Sequence, residues 1–253
     1  MDAFAERPFA GNPAAVCLLD GAAEEAWMQA LAAEIGLSET AYVWTEGDQL
    51  LLRWFTPVAE VDLCGHATAA TAVALRAAHR LTDGATVSFS TRSGILVARL
   101  EGDLVHLDLP AERPLTTARP AALVDVPAVA SARGPGDLLV ELADADAVRA
   151  VRVDLEALAA LDVRALYVTA PGDGSADYVL RVFAPSVGID EDPATGSAQC
   201  LLGPYWAERL GRTTLQAAQL SRRGGRFEVT VQGDRVAVAG PAFIVLEGRV
   251  MLP

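Results

Sequence analysis

The sequence contains no lysine, so all 20 of its basic residues are arginine, and its formal net charge is -13. A chain without lysine cannot form an imine with pyridoxal phosphate or with a carbonyl substrate. The acidic balance disfavours nucleic acid and membrane surfaces as partners, because both attract clustered basic residues. The Gly-x-Gly-x-x-Gly segment of dinucleotide-binding folds is also missing.

Cysteine is scarce as well. Cys17, Cys64 and Cys200 are far apart and odd in number, without a Cys-x-x-Cys spacing, so the sequence predicts neither a disulfide framework nor a metal site. The N-terminal stretch "MDAFAERPFAGNP" has charge and proline where a signal peptide needs an apolar core, and no apolar run of about 18 residues follows. We therefore expect a soluble, cytoplasmic protein.

An internal duplication organises the 253 residues. The segment Arg-x-Phe-x-Pro occurs at 53–57 and again at 181–185. Two further pairs of similar segments are "TAYVWTEG" (40–47) with "ALYVTAPG" (165–172), and "TRSGILVARLEGD" (91–103) with "RRGGRFEVTVQGD" (222–234). A repeat this long indicates two copies of a domain. We predict halves at 1–113 and 114–253, with a final strand able to cross over and the proline-rich stretch 110–127 as linker.

Each half is predicted to mix strands with helices. The predicted helices cover 23–35, 66–79, 147–161 and 195–210. The predicted strands cover 14–19, 40–45, 50–55, 86–90, 94–100, 104–109, 165–169, 177–183, 226–231, 235–239 and 242–247. Helices 66–79 and 195–210 are apolar or small nearly all round, which is typical of a buried helix.

The starts of these two helices are the candidate binding sites. Each follows acidic and small residues, "EVDLCGHATAA" in the first half and "DEDPATGSAQC" in the second. The first turn of a helix has unpaired N–H groups and partial positive charge, which favours an anion. Candidate carboxylate-binding residues are Gly65, Ala67, Thr195, Gly196 and Ser197. The alternative is purely structural: Asp192 as a helix cap with Pro193 at the first helical position.

Four motifs in order resemble one known family. They are "FAGNPAAVCLL", "LSETAYV", "RWFTPVAEVDLCGHATAATA" and "DEDPATGSA", and together they span nearly the whole chain. They look like the PhzF-type, phenazine-biosynthesis-like proteins, which share the diaminopimelate epimerase fold. The resemblance implies an α+β fold of two pseudo-symmetric halves, each a barrel-like sheet wrapped round a central helix. It also implies an active site in the cleft between the halves, and often a homodimer.

The chemistry that the resemblance implies is cofactor-free isomerisation, in which a proton moves on a small unsaturated carboxylic acid. Carried over by motif, Glu39 in "LSET" is the general acid and base. His66 in "CGHAT" and Asp192 and Ser197 in "DPATGS" assist or bind substrate, and Asn12 in "GNP" lines the same site. We expect burial to raise the pKa of Glu39 towards neutrality.

Two other functions remain open at this point. Racemases of the same fold use paired thiols, and Cys64 lies at the start of one helix. Cys200 lies several residues inside the second helix instead of at its start, so a two-thiol epimerase is disfavoured and Cys64 is interpreted as a small packing residue. The other alternative is a non-catalytic protein that binds a small acid.

Overall fold

The computed structural model describes residues 1–117 and 123–251 and divides the chain into two compact units. Unit 1 comprises Met1–Leu107 and Gly240–Pro253, and unit 2 comprises Asp108–Ala239. The first division lies at 107/108, where the sequence prediction placed it at 113/114, and the C-terminal segment belongs to unit 1. The predicted linker 110–127 thus lies within unit 2, although its residues 118–122 are outside the described residues.

Unit 1 contains two of the predicted helices and the strands of the first half. Its elements are β1 (Asp2–Ala3), β2 (Asn12–Leu18), α1 (Glu25–Ile35), β3 (Glu39–Glu46), β4 (Gln49–Phe55), β5 (Glu60–Val61), α2 (Gly65–Ala77), β6 (Thr86–Thr91) and β7 (Gly94–Glu101). Strand β8 (Leu104–Pro110) runs through the division at 107/108.

Unit 2 has a similar order of elements. They are β9 (Leu115–Thr116), β10 (Ala130–Arg133), β11 (Asp137–Glu141), α3 (Ala145–Ala150), α4 (Leu155–Ala159), β12 (Ala165–Pro171), β13 (Tyr178–Ala184), a 3-10 turn (Pro185–Val187), β14 (Ile189–Asp192), α5 (Gln199–Leu210), β15 (Thr214–Gln219) and β16 (Gly225–Gln232). Strand β17 (Arg235–Phe243) runs through the division at 239/240.

In unit 1, strands β2 and β3 are parallel, with Ala14 opposite Glu39. Parallel neighbours need a crossover connection, which α1 supplies. The helix ends at Gly36, whose φ of 67° is the left-handed conformation that glycine adopts without strain. Met28 of α1 is fully buried, and its carbonyl accepts a 2.6 Å hydrogen bond from the hydroxyl of Tyr42. The packing of α1 therefore fixes where β3 begins.

Each unit has one helix that is buried nearly all round, as the sequence predicts. In α2 every residue from His66 to Val73 is buried, and in α5 every residue from Gln199 to Gly203. Small side chains let the sheet approach α5: a Cβ at Gly203 would lie 3.0 Å from Val229. Trp206 of α5 donates from its indole nitrogen to the Thr169 hydroxyl at 2.9 Å. Helix and sheet are thus joined by polar contacts as well as by apolar packing.

Two predicted elements are wrong. The helix expected over 147–161 is two short helices, α3 and α4, because the chain between them forms a bridge from Val153 to Val124. Asp144 and Asp154 each cap a new helix by accepting from the backbone N–H three residues later. The strand expected over 242–247 is also wrong, because β17 ends at Phe243 and the described residues beyond it form no strand.

The strand register corrects the alignment of one pair of repeated segments, 40–47 with 165–172. Thr40 lies opposite Phe55, and Leu166 lies opposite Phe183. The two phenylalanines occupy the same place in their Arg-x-Phe-x-Pro segments, so Thr40 corresponds to Leu166. The sequence alignment paired Thr40 with Ala165 and is wrong by one residue, which exchanges the two faces of a strand. Glu39 therefore corresponds to Ala165.

Candidate functional site

Glu39 is the first residue of β3 and lies at the sheet edge where β2 also begins. Asn12, the first residue of β2, is fully buried at the same edge. The Ser38 hydroxyl links the two strand starts, because its Oγ lies 3.3 Å from Asn12 Oδ1 and 3.2 Å from the Pro13 carbonyl oxygen. The parallel pairing thus brings "GNP" and "LSET" together, although they are far apart in sequence.

His66 and Cys64 complete the cluster at the start of α2. His66 Nε2 lies 3.2 Å from Glu39 Oε2, but the ring N–H is not aligned with that oxygen, so the contact is electrostatic. Cys64 Sγ lies 3.5 Å from His66 Nδ1 and 3.9 Å from Nε2. Glu39, Cys64 and His66 are 9%, 5% and 6% exposed. Among the described residues, these three form the group whose carboxylate, thiol and imidazole lie close enough to hold a metal ion.

Electrostatics make the Glu39–His66 contact an ion pair. Burial acts to raise the pKa of Glu39, but the charge of His66, together with the polar side chains of His66 and Ser38, outweighs it and lowers the pKa. The expectation that burial raises this pKa was wrong, because it left out the imidazole next to the carboxylate. Burial also opposes the charged imidazole, yet Cys64 and Glu39 together hold the pKa of His66 well above its ordinary value. Burial, and then the negative charge of Glu39, raise the pKa of the Cys64 thiol.

In unit 2, Asp192 ends β14 and is almost fully buried. Its carboxylate accepts a hydrogen bond from the Thr195 hydroxyl. The structural alternative for Asp192 as a helix cap is wrong, because α5 begins at Gln199 with Ala198 at its cap position. Asp192 instead closes a turn that precedes the helix.

Gln219 of β15 holds this turn, and sequence reasoning missed it. Its amide oxygen accepts from the Thr195 N–H at 2.8 Å, and its amide nitrogen donates to the Asp192 carbonyl at 2.6 Å. Ser221, just beyond β15, donates to the Pro193 carbonyl at 2.6 Å. The only sequence signal was the second of two glutamines in "TLQAAQL", a stretch that was not predicted as a strand.

The predicted anion-binding groups differ in their availability. The Thr195 N–H already has an acceptor in Gln219, so it is not open to a ligand as predicted. Within the described part of the chain, the N–H groups of Gly196 and Ser197 have no hydrogen-bond acceptor, and neither do those of Gly65 and His66 at the start of α2. The Ala67 N–H contacts the Cys64 sulfur. Of the N–H groups at these positions, two therefore remain open to a ligand at the start of α2, and two just before α5, among the described residues.

The two helix starts are not chemically equivalent. Trp54 lies opposite Val61 in unit 1, and Val182 lies opposite Asp192 in unit 2. Asp192 thus corresponds to an apolar residue, just as Glu39 corresponds to Ala165. Cys200 lies inside α5, where burial and the charges around it raise the pKa of its thiol to about 12. Each unit has its own carboxylate, and unit 2 has no accessible thiol in its described residues.

No helix among the described residues is long and apolar enough to cross a membrane. All three cysteines are free thiols.

Comparison with known proteins places the chain in a family. A family model described as phenazine biosynthesis-like protein matches residues 1–248. A Pseudomonas aeruginosa protein named an uncharacterized isomerase is 46% identical over 255 residues, which cover 100% of this chain and 97% of that protein.

Solved structures agree with this relationship. The crystal structure of a PhzF-family phenazine biosynthesis protein from Enterococcus faecalis is 42% identical, with a TM-score of 0.95, and the match covers 99% of this chain and 97% of that one. A hydroxyproline epimerase from Agrobacterium vitis, 12% identical over 81% of this chain and 72% of that one, has a TM-score of 0.52 and shares the fold alone. The epimerase-like α+β fold predicted from the sequence is thus confirmed, and the chain belongs to the PhzF-like family of phenazine biosynthesis-like proteins.

Proposed function

We propose that this protein is a cofactor-independent isomerase that moves a proton on a small unsaturated carboxylic acid, with Glu39 as general base and acid. The observation that carries the proposal is the buried contact of 3.2 Å between Glu39 Oε2 and His66 Nε2. It pairs a carboxylate that can accept a proton with an imidazolium that can donate one. General acid and base catalysis needs both groups within hydrogen-bond reach of the reacting atoms.

The two protonation states are coupled. When Glu39 takes a proton from a substrate carbon, it loses the charge that helps to hold the imidazolium of His66. Burial then favours release of the His66 proton towards the negative charge that develops on the substrate. Return of the proton from Glu39 to a different carbon, together with return of the enol proton to His66, completes the isomerisation and restores the ion pair. This cycle uses only side chains of the protein.

The substrate carboxylate is assigned to open backbone donors at the helix starts. In unit 1 these are the N–H groups of Gly65 and His66, and in unit 2 those of Gly196 and Ser197. Donors of this kind are aligned before the ligand arrives, so they bind an anion without reorganisation. Three other polar residues have supporting roles in this proposal. Asp192 and Thr195 shape the turn before α5. Asn12 lies beside Ser38, the residue that precedes the proposed base Glu39.

The test is deuterium incorporation in deuterated water, followed by mass spectrometry, across small unsaturated and amino-substituted cyclic carboxylic acids. Wild type should label the carbon that it deprotonates, and Glu39→Gln should lose about 100-fold or more of that rate with its fold intact. Glu34→Gln is the matched control, because Glu34 is an exposed residue of α1. Exchange that persists in Glu39→Gln would rule out Glu39 as the base.

The same experiment separates the two alternatives. An acid that binds in calorimetry but never exchanges would identify a non-catalytic binding protein. A racemase that works through a thiol would instead exchange the α-hydrogen of an amino acid and lose that activity in Cys64→Ala. The raised pKa values of Cys64 and Cys200 argue against this second outcome, because a protonated thiol is not a base.

A further inference from the structure

Three different kinds of metal ligand meet at the start of α2. The Cys64 sulfur, a His66 ring nitrogen and a Glu39 carboxylate oxygen all lie within 4.8 Å of one another. His66 Nε2 is 3.2 Å from Glu39 Oε2 and 3.9 Å from Cys64 Sγ. Zinc bonds of roughly 2.0 to 2.3 Å at tetrahedral angles place neighbouring ligand atoms about 3.3 to 3.7 Å apart. These two separations are close to the spacing of zinc ligands, and the remaining one, between the Cys64 sulfur and the Glu39 carboxylate, is at most 4.8 Å.

The carboxylate of Glu39 supplies a second, independent observation. Its Oε2 is buried, and it has no aligned hydrogen-bond donor among the residues that the structure describes. A buried acceptor without a directed donor is unfavourable, and more so when it is charged. The nearby imidazole offers charge but not a directed hydrogen bond. A cation on this oxygen would satisfy it.

We propose that Glu39, Cys64 and His66 bind one Zn²⁺ ion, which inhibits the protein by occupying its base. Thiolate and imidazole ligands favour zinc over magnesium or calcium, which prefer oxygen. On binding, the Cys64 thiol and the His66 imidazolium each release a proton to solvent. One carboxylate and one thiolate then balance the two charges of the ion, so the buried site is neutral. Three protein ligands leave a fourth position for water or for a substrate carboxylate.

The backbone holds these ligands before any metal arrives. The Cys64 carbonyl accepts from both the hydroxyl and the N–H of Thr68, at 2.6 Å and 3.2 Å. Glu39 is fixed by the pairing of β3 with β2. Ligands on a helix start and a strand start need little rearrangement, which lowers the entropic cost of binding.

Zinc binding is testable without any substrate. Protein treated with chelator and then dialysed is titrated with Zn²⁺ alone in a calorimeter, and the expected result is one ion per chain. Cys64→Ala should bind about 100-fold more weakly or worse, because even outer-shell changes at metal sites cost 10- to 100-fold. Cys17→Ala is the thiol control, since Cys17 lies on the α1 side of the sheet. His79→Ala is the control for an exposed histidine. Absence of one-to-one binding, or undiminished binding in Cys64→Ala, would refute the proposal.

Cobalt provides a spectroscopic readout that a structural role of Cys64 would not produce. With Co²⁺ in place of zinc, a thiolate ligand gives a charge-transfer band in the near ultraviolet. The band should appear in wild type and in Cys17→Ala and be absent in Cys64→Ala. If Cys64→Ala fails to fold by circular dichroism, His66→Ala serves as the second variant, with weaker binding expected. A band of unchanged intensity in a folded Cys64→Ala variant would assign it to another thiol and refute the site.

Only the inhibition rests on the proposed function. Zinc should abolish deuterium exchange in wild type at the concentration that saturates the site, and a chelator should restore it. If no acid exchanges at all, the isomerase proposal fails while the calorimetric result still decides the metal site. If zinc binds one-to-one and exchange continues at its full rate, Glu39 is not a ligand and the inhibitory site is refuted.

Discussion

Glu39 and His66 lie on different elements, a strand start and a helix start, with 3.2 Å between Oε2 and Nε2. Each side chain is less than one tenth exposed. The pair is the one place in unit 1 where the described residues bring a carboxylate and a histidine together in the buried interior. Its effect on the two pKa values is opposite to what burial alone would give, because the mutual attraction outweighs desolvation.

Replacing His66 with asparagine should raise the pKa of Glu39. The substitution removes the charge that lowers this pKa and leaves the effect of burial. Since the base must be ionised to take a proton, the acid limb of the exchange rate should move to higher pH, in addition to any loss of rate. The measurement is deuterium exchange as a function of pH for wild type, His66→Asn and the exposed control His79→Asn. An acid limb at the same pH in all three would show that His66 does not control Glu39.

Replacing Gln219 with methionine should destabilise unit 2. The variant leaves the Thr195 N–H and the Asp192 carbonyl without their partners. Because each unsatisfied buried group costs about 1 to 3 kcal/mol, we expect a loss of at least about 1 kcal/mol in the free energy of unfolding, measured in urea. Gln216→Met on the same strand is the control, because Gln216 is exposed. Equal stability of the two variants would show that the turn does not depend on Gln219.

Gln219 also shows why the site could be predicted only in part. Glu39, His66 and Asp192 lie in short, local sequence motifs, so these residues can be identified as candidates from the sequence alone. Gln219 acts on a residue 24 positions away and lies on β15, which the sequence does not mark with alternating polarity. Such a contact depends on strand pairing, which composition does not encode locally.

The fold, like the site, could be predicted from the sequence only in part. The central helices were predictable because small and apolar residues surround them, and "TRSGILVARLEGD" does align with "RRGGRFEVTVQGD", since β7 and β16 begin at matching glycines. The helix over 147–161 was not predictable from its apolar pattern, because Val153 leaves the helix to pair with Val124. The sequence alignment of the β3 segment with the β12 segment is shifted by one residue from the strand pairing, because similar side chains alone do not reveal strand register.

Substituting alanine for Gly11 should destabilise the start of β2. Gly11 has a φ of 65°, and a Cβ there would lie 2.3 Å from the Ala3 carbonyl oxygen. A non-glycine residue in this conformation costs about 1 to 3 kcal/mol even without a clash. Gly21→Ala should change stability by less than about 0.5 kcal/mol, because nothing lies within 4 Å of a Cβ at that position. Thermal unfolding of both variants checks this, and equal melting temperatures would contradict it.

Glu112 should make stability depend on pH in a predictable direction. Burial, and then the charge of Asp137, raise its pKa against the opposing effect of Arg164. Its Oε2 is buried without a hydrogen-bond partner among the described residues. Because the folded-state pKa is raised, the contribution of Glu112 to stability is fully present below the ordinary glutamate pKa of 4.5 and is lost as pH rises through the raised value.

Glu112→Gln isolates this effect, because glutamine resembles the protonated acid and does not ionise. The variant and wild type should have similar free energies of unfolding at about pH 4, and the variant should be the more stable at about pH 7. The control is Glu208→Gln, an exposed position on α5 where we expect little change at either pH. Urea denaturation at the two pH values measures the difference. A stability difference that is the same at both would mean that Glu112 ionises in the folded protein as it does in the unfolded chain, and that its burial has no electrostatic cost.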